Sequence, residues 1–358
     1  MSRHALRATV AAGLLAAFTT GCSSLGYYTQ SVSGHLKLLN AARPVPEVLA
    51  DPATSDALKA RLELTQRIRH YAVTALKLPD NDSYRRYADL KRSAAVWNVA
   101  AAPELSLTLR TWCFPVVGCV AYRGYYDREQ AEAYAEQLRA SGLDAGVIPV
   151  PAYSTLGKIP GRYFADPLLN TFVQWPEGEL ARLIFHELAH QVAFAPDDTV
   201  FNESFATMVE RLGTARWLAE HGSSAAREAL ATQTSRRDEF RALTTRYRDR
   251  LSALYRSAVS DEDKRRGKFE LLAAMRAEHA ALKAGSWQGY TGYDGWFIQV
   301  NNASLGMLAA YTELVPYFEH LLVEQGGDLS RFYAEVQRLT ALPMDERRHR
   351  LQGLAPPP

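Results

Sequence analysis

Residues 177–213 read EGELARLIFHELAHQVAFAPDDTVFNESFATMVERLG, and the organisation of the whole chain follows from them. Leu180, Leu183, Ile184, Leu188 and Val192 recur at helical spacing, which predicts one amphipathic helix over 177–194 with this face against a core. The turn APDD follows. A second helix is expected over 199–212, capped by Asp197 or Asp198 and closed by Gly213. His186 and His190 are four residues apart, so both imidazoles share one helix face with about 6 Å of rise between them. Two neutral imidazoles at that separation can reach one tetrahedral zinc ion. Glu187, next in the chain to a ligand, cannot point at the same metal. It can reach a water beside it, where a general base is needed. An open catalytic zinc site uses three protein ligands. Glu203 is the first Glu after His190 and lies about one turn inside the second helix, where antiparallel packing returns the chain past the histidines. Asp197 and Asp198 are its rivals, but beside Pro196 they are better placed to cap the next helix. Glu210, seven residues after Glu203, falls on the same helix face.

Working outward, apolar spacing predicts a helix between Pro52 and Leu78 and another from Tyr84 to Val96. The strongest strand signal lies between Val96 and Ser154, in LSLTLRTW, VAYRGYY and GVIPVPAY, with a helix from Asp127 to Ser141 between the last two. AYSTLG at 152–157 is read as an edge strand to which a peptide could add, or as a plain buried strand. Downstream, Phe240, Leu243, Tyr247, Leu251 and Leu254 form one stripe within a segment of mixed charge, as expected of a helical hairpin with a solvated outer face. GSWQGYTGYDGW reads as a Gly- and aromatic-rich loop. Helices over 301–325 and 329–339 follow, and the last residues, LAPPP, should fray. His35, His70, His221, His279, His320 and His349 have no ligand-like spacing.

The chain has 358 residues, with 41 basic against 39 acidic, a balance that argues against nucleic acid as a partner. Arg3 and Arg7 precede a short apolar run, Val10–Phe18, as in an export signal, here the leader of a lipid-attached protein, with an ordinary signal peptide or a short anchor as the alternative. Export places Cys113 and Cys119 in an oxidising compartment. Pro115 and Gly118 let the chain fold back between them, so a Cys113–Cys119 disulfide is expected, with two buried thiols as the alternative.

The string Thr19-Thr20-Gly21-Cys22, followed by Ser23, resembles the lipobox of bacterial lipoproteins. That resemblance implies removal of residues 1–21, lipidation of Cys22 and attachment to the envelope, with Ser23 suiting the outer membrane, periplasmic face. Asn202-Glu203-Ser204-Phe205-Ala206 resembles the NEGFA-type segment of the gluzincin zinc aminopeptidases, where a carboxylate at the position of Glu210 orients a ligand histidine. WCFPVVGCVAYRGYY, HELAHQ, FNESFA and Asn301-Asn302-Ala303 together resemble a family of bacterial predicted aminopeptidase lipoproteins. The resemblance implies an α+β, predominantly helical fold: a zincin-like core with a small mixed sheet and a C-terminal helical part. The expected divisions are a leader over 1–21, a tether over 22–50, N-terminal helices and the sheet unit over 51–175, the zinc-binding helix pair over 176–213, and the helical region over 214–358.

The expected activity is zinc-dependent hydrolysis of peptides by an aminopeptidase, with His186, His190 and Glu203 as Zn²⁺ ligands and Glu187 activating water. Tyr290 and Tyr293, in the Gly-rich loop, are candidates to stabilise the oxyanion or contact substrate; packing roles serve equally well. The reading from another class is a non-catalytic envelope lipoprotein that uses zinc for folding or partner binding. Glu187 separates the two, because a closed structural site has no use for a carboxylate between its histidines.

Overall fold

The computed structural model describes residues 26–114, 118–152, 165–311 and 313–354. The leader, Cys22 and most of AYSTLG lie outside the described residues, as do the three prolines at the end. The fold is α+β and predominantly helical. Among the described residues no helix is long and apolar enough to cross a membrane.

Within the stretch expected as a tether, residues 26–41 form helix α1, and Leu38 and Leu39 on it are buried in the main core. Strand β1 (Arg43–Pro44), helix α2 (Val45–Ala50) and helix α3 (Asp56–Thr74) follow. Ser55 caps α3 by accepting from the Leu58 N–H, and Leu62, Ile68 and Ala72 form its buried stripe. The helix expected over 84–96 does not form. Tyr84 and Lys91 both take positive φ, which no helix accommodates. Between them, β2 (Arg86–Ala88) pairs antiparallel with β1 and parallel with β8 (Leu168–Leu169), making a three-stranded mixed sheet. Tertiary pairing has overridden the helical spacing of the apolar residues.

The second sheet centres on β3 (Val96–Pro103), flanked antiparallel by β6 (Arg123–Tyr125) and β7 (Leu143–Val150). Helix α4 (Arg128–Ala140), capped by Asp127, covers this sheet with Ala131, Ala135 and Leu138. Residues 106–111, expected as part of a strand, are not one. Instead Leu109 packs on Gly306, where an added Cβ would lie 2.9 Å from it, and Arg110 N–H donates one bond to Ala101. Cys113 and Cys119 stand opposite each other in the hairpin of β4 (Trp112–Phe114) and β5 (Gly118–Val120), joined as a disulfide.

Helices α5 (Glu177–Ala189) and α6 (Thr199–His221) pack along each other through the main core. Gly213 does not close α6, which runs on to His221. A Cβ at Gly213 would sit 2.6 Å from a Leu76 methyl and 2.8 Å from the Phe185 ring, so glycine here lets α6 pass close to α5. Helices α7 (Ser224–Arg256) and α8 (Asp261–Ala284) form the expected hairpin. Phe240, Leu243, Tyr247 and Leu251 meet Leu272 and Met275 in a second core. The segment expected as one helix over 301–325 is broken in two. After the short α9 (Asp294–Gln299) come α10 (Asn302–Ala310) and α11 (Val315–Glu324), with Tyr311, Glu313 and Leu314 between them. Helices α12 (Leu329–Thr340) and α13 (Met344–Leu354) close the chain, the last having given no apolar periodicity to read.

Candidate active site

The turn between α5 and α6 is built by three polar side chains. Asp198 caps α6 by accepting from the Phe201 N–H, and its carboxylate is paired with the guanidinium groups of Arg347 and Arg348. Asn202 bonds both backbone groups of Ala195, accepting from its N–H at 2.8 Å and donating to its carbonyl at 2.8 Å. Asp197, held in the left-handed region, accepts from the Cys119 N–H and so ties the disulfide hairpin to this turn. Neither aspartate is free to reach the histidines. Closing the turn this way sets the first two turns of α6 against the last turn of α5.

Three ligand atoms then meet. His190 Nε2 lies 3.1 Å from His186 Nε2. Glu203 Oε2 lies 3.2 Å from His186 Nε2 and 3.7 Å from His190 Nε2. A tetrahedral ion with bonds of about 2.0–2.1 Å separates its ligand atoms by roughly 3.3–3.4 Å, so this triangle fits one face of such a site. Glu203 Oε2 and His190 Nδ1 are buried without an aligned hydrogen bond. His186 Nδ1 lies 3.0 Å from Glu210 Oε2, which directs its Nε2 into the triangle. Glu210 is in turn held by Arg182.

The electrostatics ask for a cation at the centre. Burial pushes His186 down, but the carboxylates of Glu203 and Glu210 outweigh it and hold the ring well above the ordinary imidazole range. Burial lowers His190 to about 4, with Glu203 opposing and His186 adding to the effect. Burial also raises Glu210, yet Arg182 and His186 bring it down to about 2. Glu203 likewise sits low: His190 and His186 together overcome its burial. Two imidazoles and a carboxylate are a donor set suited to zinc.

Glu187 points into the adjoining cavity of about 380 Å³, which His186, Glu210, Arg182 and Tyr311 also line. Burial raises its carboxyl to about 7, against the pull of His186. Such a value suits a group that must take up and release a proton near neutrality. Tyr311, in the break between α10 and α11, stacks on His186 with ring centroids 6.3 Å apart and planes at 24°. At the end of the same break the Ser204 hydroxyl accepts from the Leu314 N–H at 3.1 Å, which ties the break to α6. Glu203 first, then burial, raises the Tyr311 phenol well above the usual range. Burial, then the carboxylates of Glu203 and Glu187, push the Tyr122 phenol well above the usual range, so it too belongs to this neighbourhood. Neither tyrosine carries a local sequence signal. The packing of α10 on α6 and on β3 brings them in.

Of the two tyrosines named from sequence, Tyr293 lines the cavity but stacks on Phe240 with centroids 4.2 Å apart. Tyr290 is not among the residues lining it and lies under the Arg236 guanidinium. The structure therefore brings His186, Glu187, His190, Glu203 and Glu210 together, with Tyr293 on the cavity's far wall. Ala152 lines the cavity, while residues 153–157 of the candidate edge strand lie outside the described residues.

Neither a curated protein nor a solved structure matches the chain. A family model described as "Putative aminopeptidase" does, over residues 26–351. The match spans both three-stranded sheets, the β4–β5 hairpin, the α5–α6 pair and the C-terminal helices, and it supports a peptidase function. On a match of that extent, the chain belongs to this putative aminopeptidase family.

Proposed function

We propose that the protein is a zinc-dependent peptidase, an aminopeptidase in keeping with its family, which works in the bacterial envelope on a Cys22 lipid anchor. The observation that carries the zinc reading is the triangle of ligand atoms at 3.1, 3.2 and 3.7 Å. His186, His190 and Glu203 would hold the ion, and Glu210 would keep His186 in the tautomer that offers Nε2. A bound zinc ion supplies Lewis acidity toward a peptide carbonyl and makes water more acidic. Glu187 accepts the proton of the attacking water and returns it to the departing amine. The Tyr311 hydroxyl donates to the oxygen that gains charge as the carbonyl is attacked. The placement in the envelope rests on the leader and lipobox-like string alone.

The test is zinc content and cleavage of a broad peptide set by wild type and Glu187→Gln. The variant should keep its zinc and lose about 10²–10⁴-fold in kcat. A variant that cleaves as fast as wild type removes Glu187 from the chemistry. A wild type that holds zinc and cleaves nothing removes the peptidase reading.

A further inference from the structure

We propose that Arg241 and Arg248 form an anion-binding wall for a carboxylate of the peptide substrate, which makes short peptides with a free C-terminal carboxylate the preferred class. The inference rests on the peptidase reading of the same cavity. That cavity is lined by four arginines, Arg182, Arg237, Arg241 and Arg248, but by only three carboxylates, Glu179, Glu187 and Glu210.

The carboxylates other than Glu187 are already taken. Arg237 Nη2 donates to both oxygens of Glu179 at 2.9 Å, and Arg182 is paired with Glu210 and lies 3.5 Å from Glu179. This network leaves Glu179 saturated by two guanidinium groups and poorly suited to hold a substrate ammonium. Arg241 and Arg248 are left over. Arg241 pairs with Asp238 at 3.6 Å, which is 64% exposed and so contributes little, and the Glu210 carboxylate, already held by Arg182, attracts it from farther off. No ion pair or hydrogen bond holds Arg248 among the described residues. The two lie seven residues apart on α7, hence on one helix face, about 10 Å apart along the axis. Burial weighs most against the charge on Arg241, and Arg211, Arg182 and Arg237 repel it against the pull of Glu210, a cost that an entering anion would relieve. Arg248 stands where this cavity meets a second one of about 790 Å³, since it and Ala309 line both. A guanidinium group presents two parallel N–H donors to a carboxylate, so it reads that group rather than a neutral amide. Both arginines share the cavity with Glu187 and His186, so a peptide with its scissile bond at the metal centre would run along this wall.

The experiment measures binding and cleavage separately. Ala-Ala, Ala-Leu and Ala-Ala-Ala are compared as free acids and as C-terminal amides, alongside Ala-Glu amide, whose only anion is its side chain. Calorimetry on full-length Glu187→Gln protein reads binding without turnover, and a repeat with chelator subtracts any share due to metal. The free acids should bind about 10–100-fold tighter than their amides. Arg241→Gln and Arg248→Gln should each shrink that ratio toward one. Tight binding of Ala-Glu amide that both substitutions weaken supports the wall and assigns it to side-chain carboxylates. Equal binding of acid and amide by the parent protein overturns the proposal without needing any arginine variant to fold. A ratio that survives both substitutions overturns it too. Cleavage by the wild type is scored independently. Its absence alongside an intact binding ratio would sink the peptidase reading and leave the wall standing.

Discussion

Helices α6 and α7 are both long, and they bury their residues in opposite ways. In α6 every residue from Phe201 to Glu210 is buried, polar and apolar alike. In α7, 33 residues long, burial is confined to Phe240, Leu243, Thr244, Tyr247 and Leu251, one stripe against α8. An apolar stripe is what the hydrophobic effect selects on a helix with one wet face. A helix buried all round selects only for exclusion of water, and any polar group on it must find a partner or a use. Asn202 finds Ala195, Ser204 finds the Leu314 N–H, Glu210 finds Arg182 and His186, and Glu203 faces two histidines. Polarity without exposure marks the working helix, whereas mixed charge with exposure marks the scaffold.

The sharpest way to break this contrast is to remove the polar groups that α6 buries. Glu203→Ala should abolish stoichiometric zinc binding, measured by metal titration, whereas Asp197→Ala should retain it. Asp197 faces the Cys119 N–H rather than the histidines. Retention of zinc by Glu203→Ala would mean that the triangle is not the site. Next in size is the buried pair at the start of α6. Arg347 and Asp198 have side chains 4% and 0% exposed, and Arg347 also donates to the Leu339 and Leu342 carbonyls. Arg347→Ala strands the Asp198 carboxylate. Because Arg348 still reaches it, the loss should sit near the low end for a broken buried pair, about 3 kcal/mol by denaturant unfolding. A loss under about 1 kcal/mol would show that water replaces Arg347 freely.

The same contrast governs what could be read from sequence. The α7 stripe was legible because burial there follows the helical period. The triangle of His186, His190 and Glu203 was legible because the two histidines end one helix and Glu203 lies near the start of the next, after a short turn, so local spacing carries the geometry. Gly213 was misread as a stop because a glycine that ends a helix and one that admits a neighbouring helix look alike in one dimension. The strand at Arg86–Ala88 was missed because its partners, at 43–44 and 168–169, are distant in sequence and the pairing is short. Tyr311 was hidden for a related reason. It sits in a break between helices whose far end, Leu314, is tied to the buried Ser204, more than a hundred residues away.

That break supplies a third prediction. Tyr311→Phe keeps the ring on His186 and removes only the hydroxyl, so zinc binding should hold while kcat falls about 10²–10³-fold, as for loss of one oxyanion donor. Tyr290→Phe, outside the cavity lining, should leave kcat within about twofold on that account. Equal losses from the two substitutions would return the oxyanion role to the Gly-rich loop.

The smallest effect belongs to the outer face of the α7–α8 hairpin, and it matters because it is small. Arg246 reaches Glu278 across the hairpin, with side chains 53% and 44% exposed. Tyr247 donates to the other oxygen of the same carboxylate, so Glu278 keeps a partner when Arg246 is removed. Geometry alone makes this pair look comparable to Arg347–Asp198, since both are close guanidinium–carboxylate contacts on helices. Their surroundings differ. Around Arg246 and Glu278 water solvates either charge once it is freed, salt screens the attraction, and two long side chains regain rotamer freedom. Arg246→Ala should therefore cost no more than about 1 kcal/mol by denaturant unfolding, and less still in high salt. A cost near that of Arg347→Ala would mean that the hairpin's outer face is covered in the native protein, and α7 would then no longer stand as the solvated counterpart of α6.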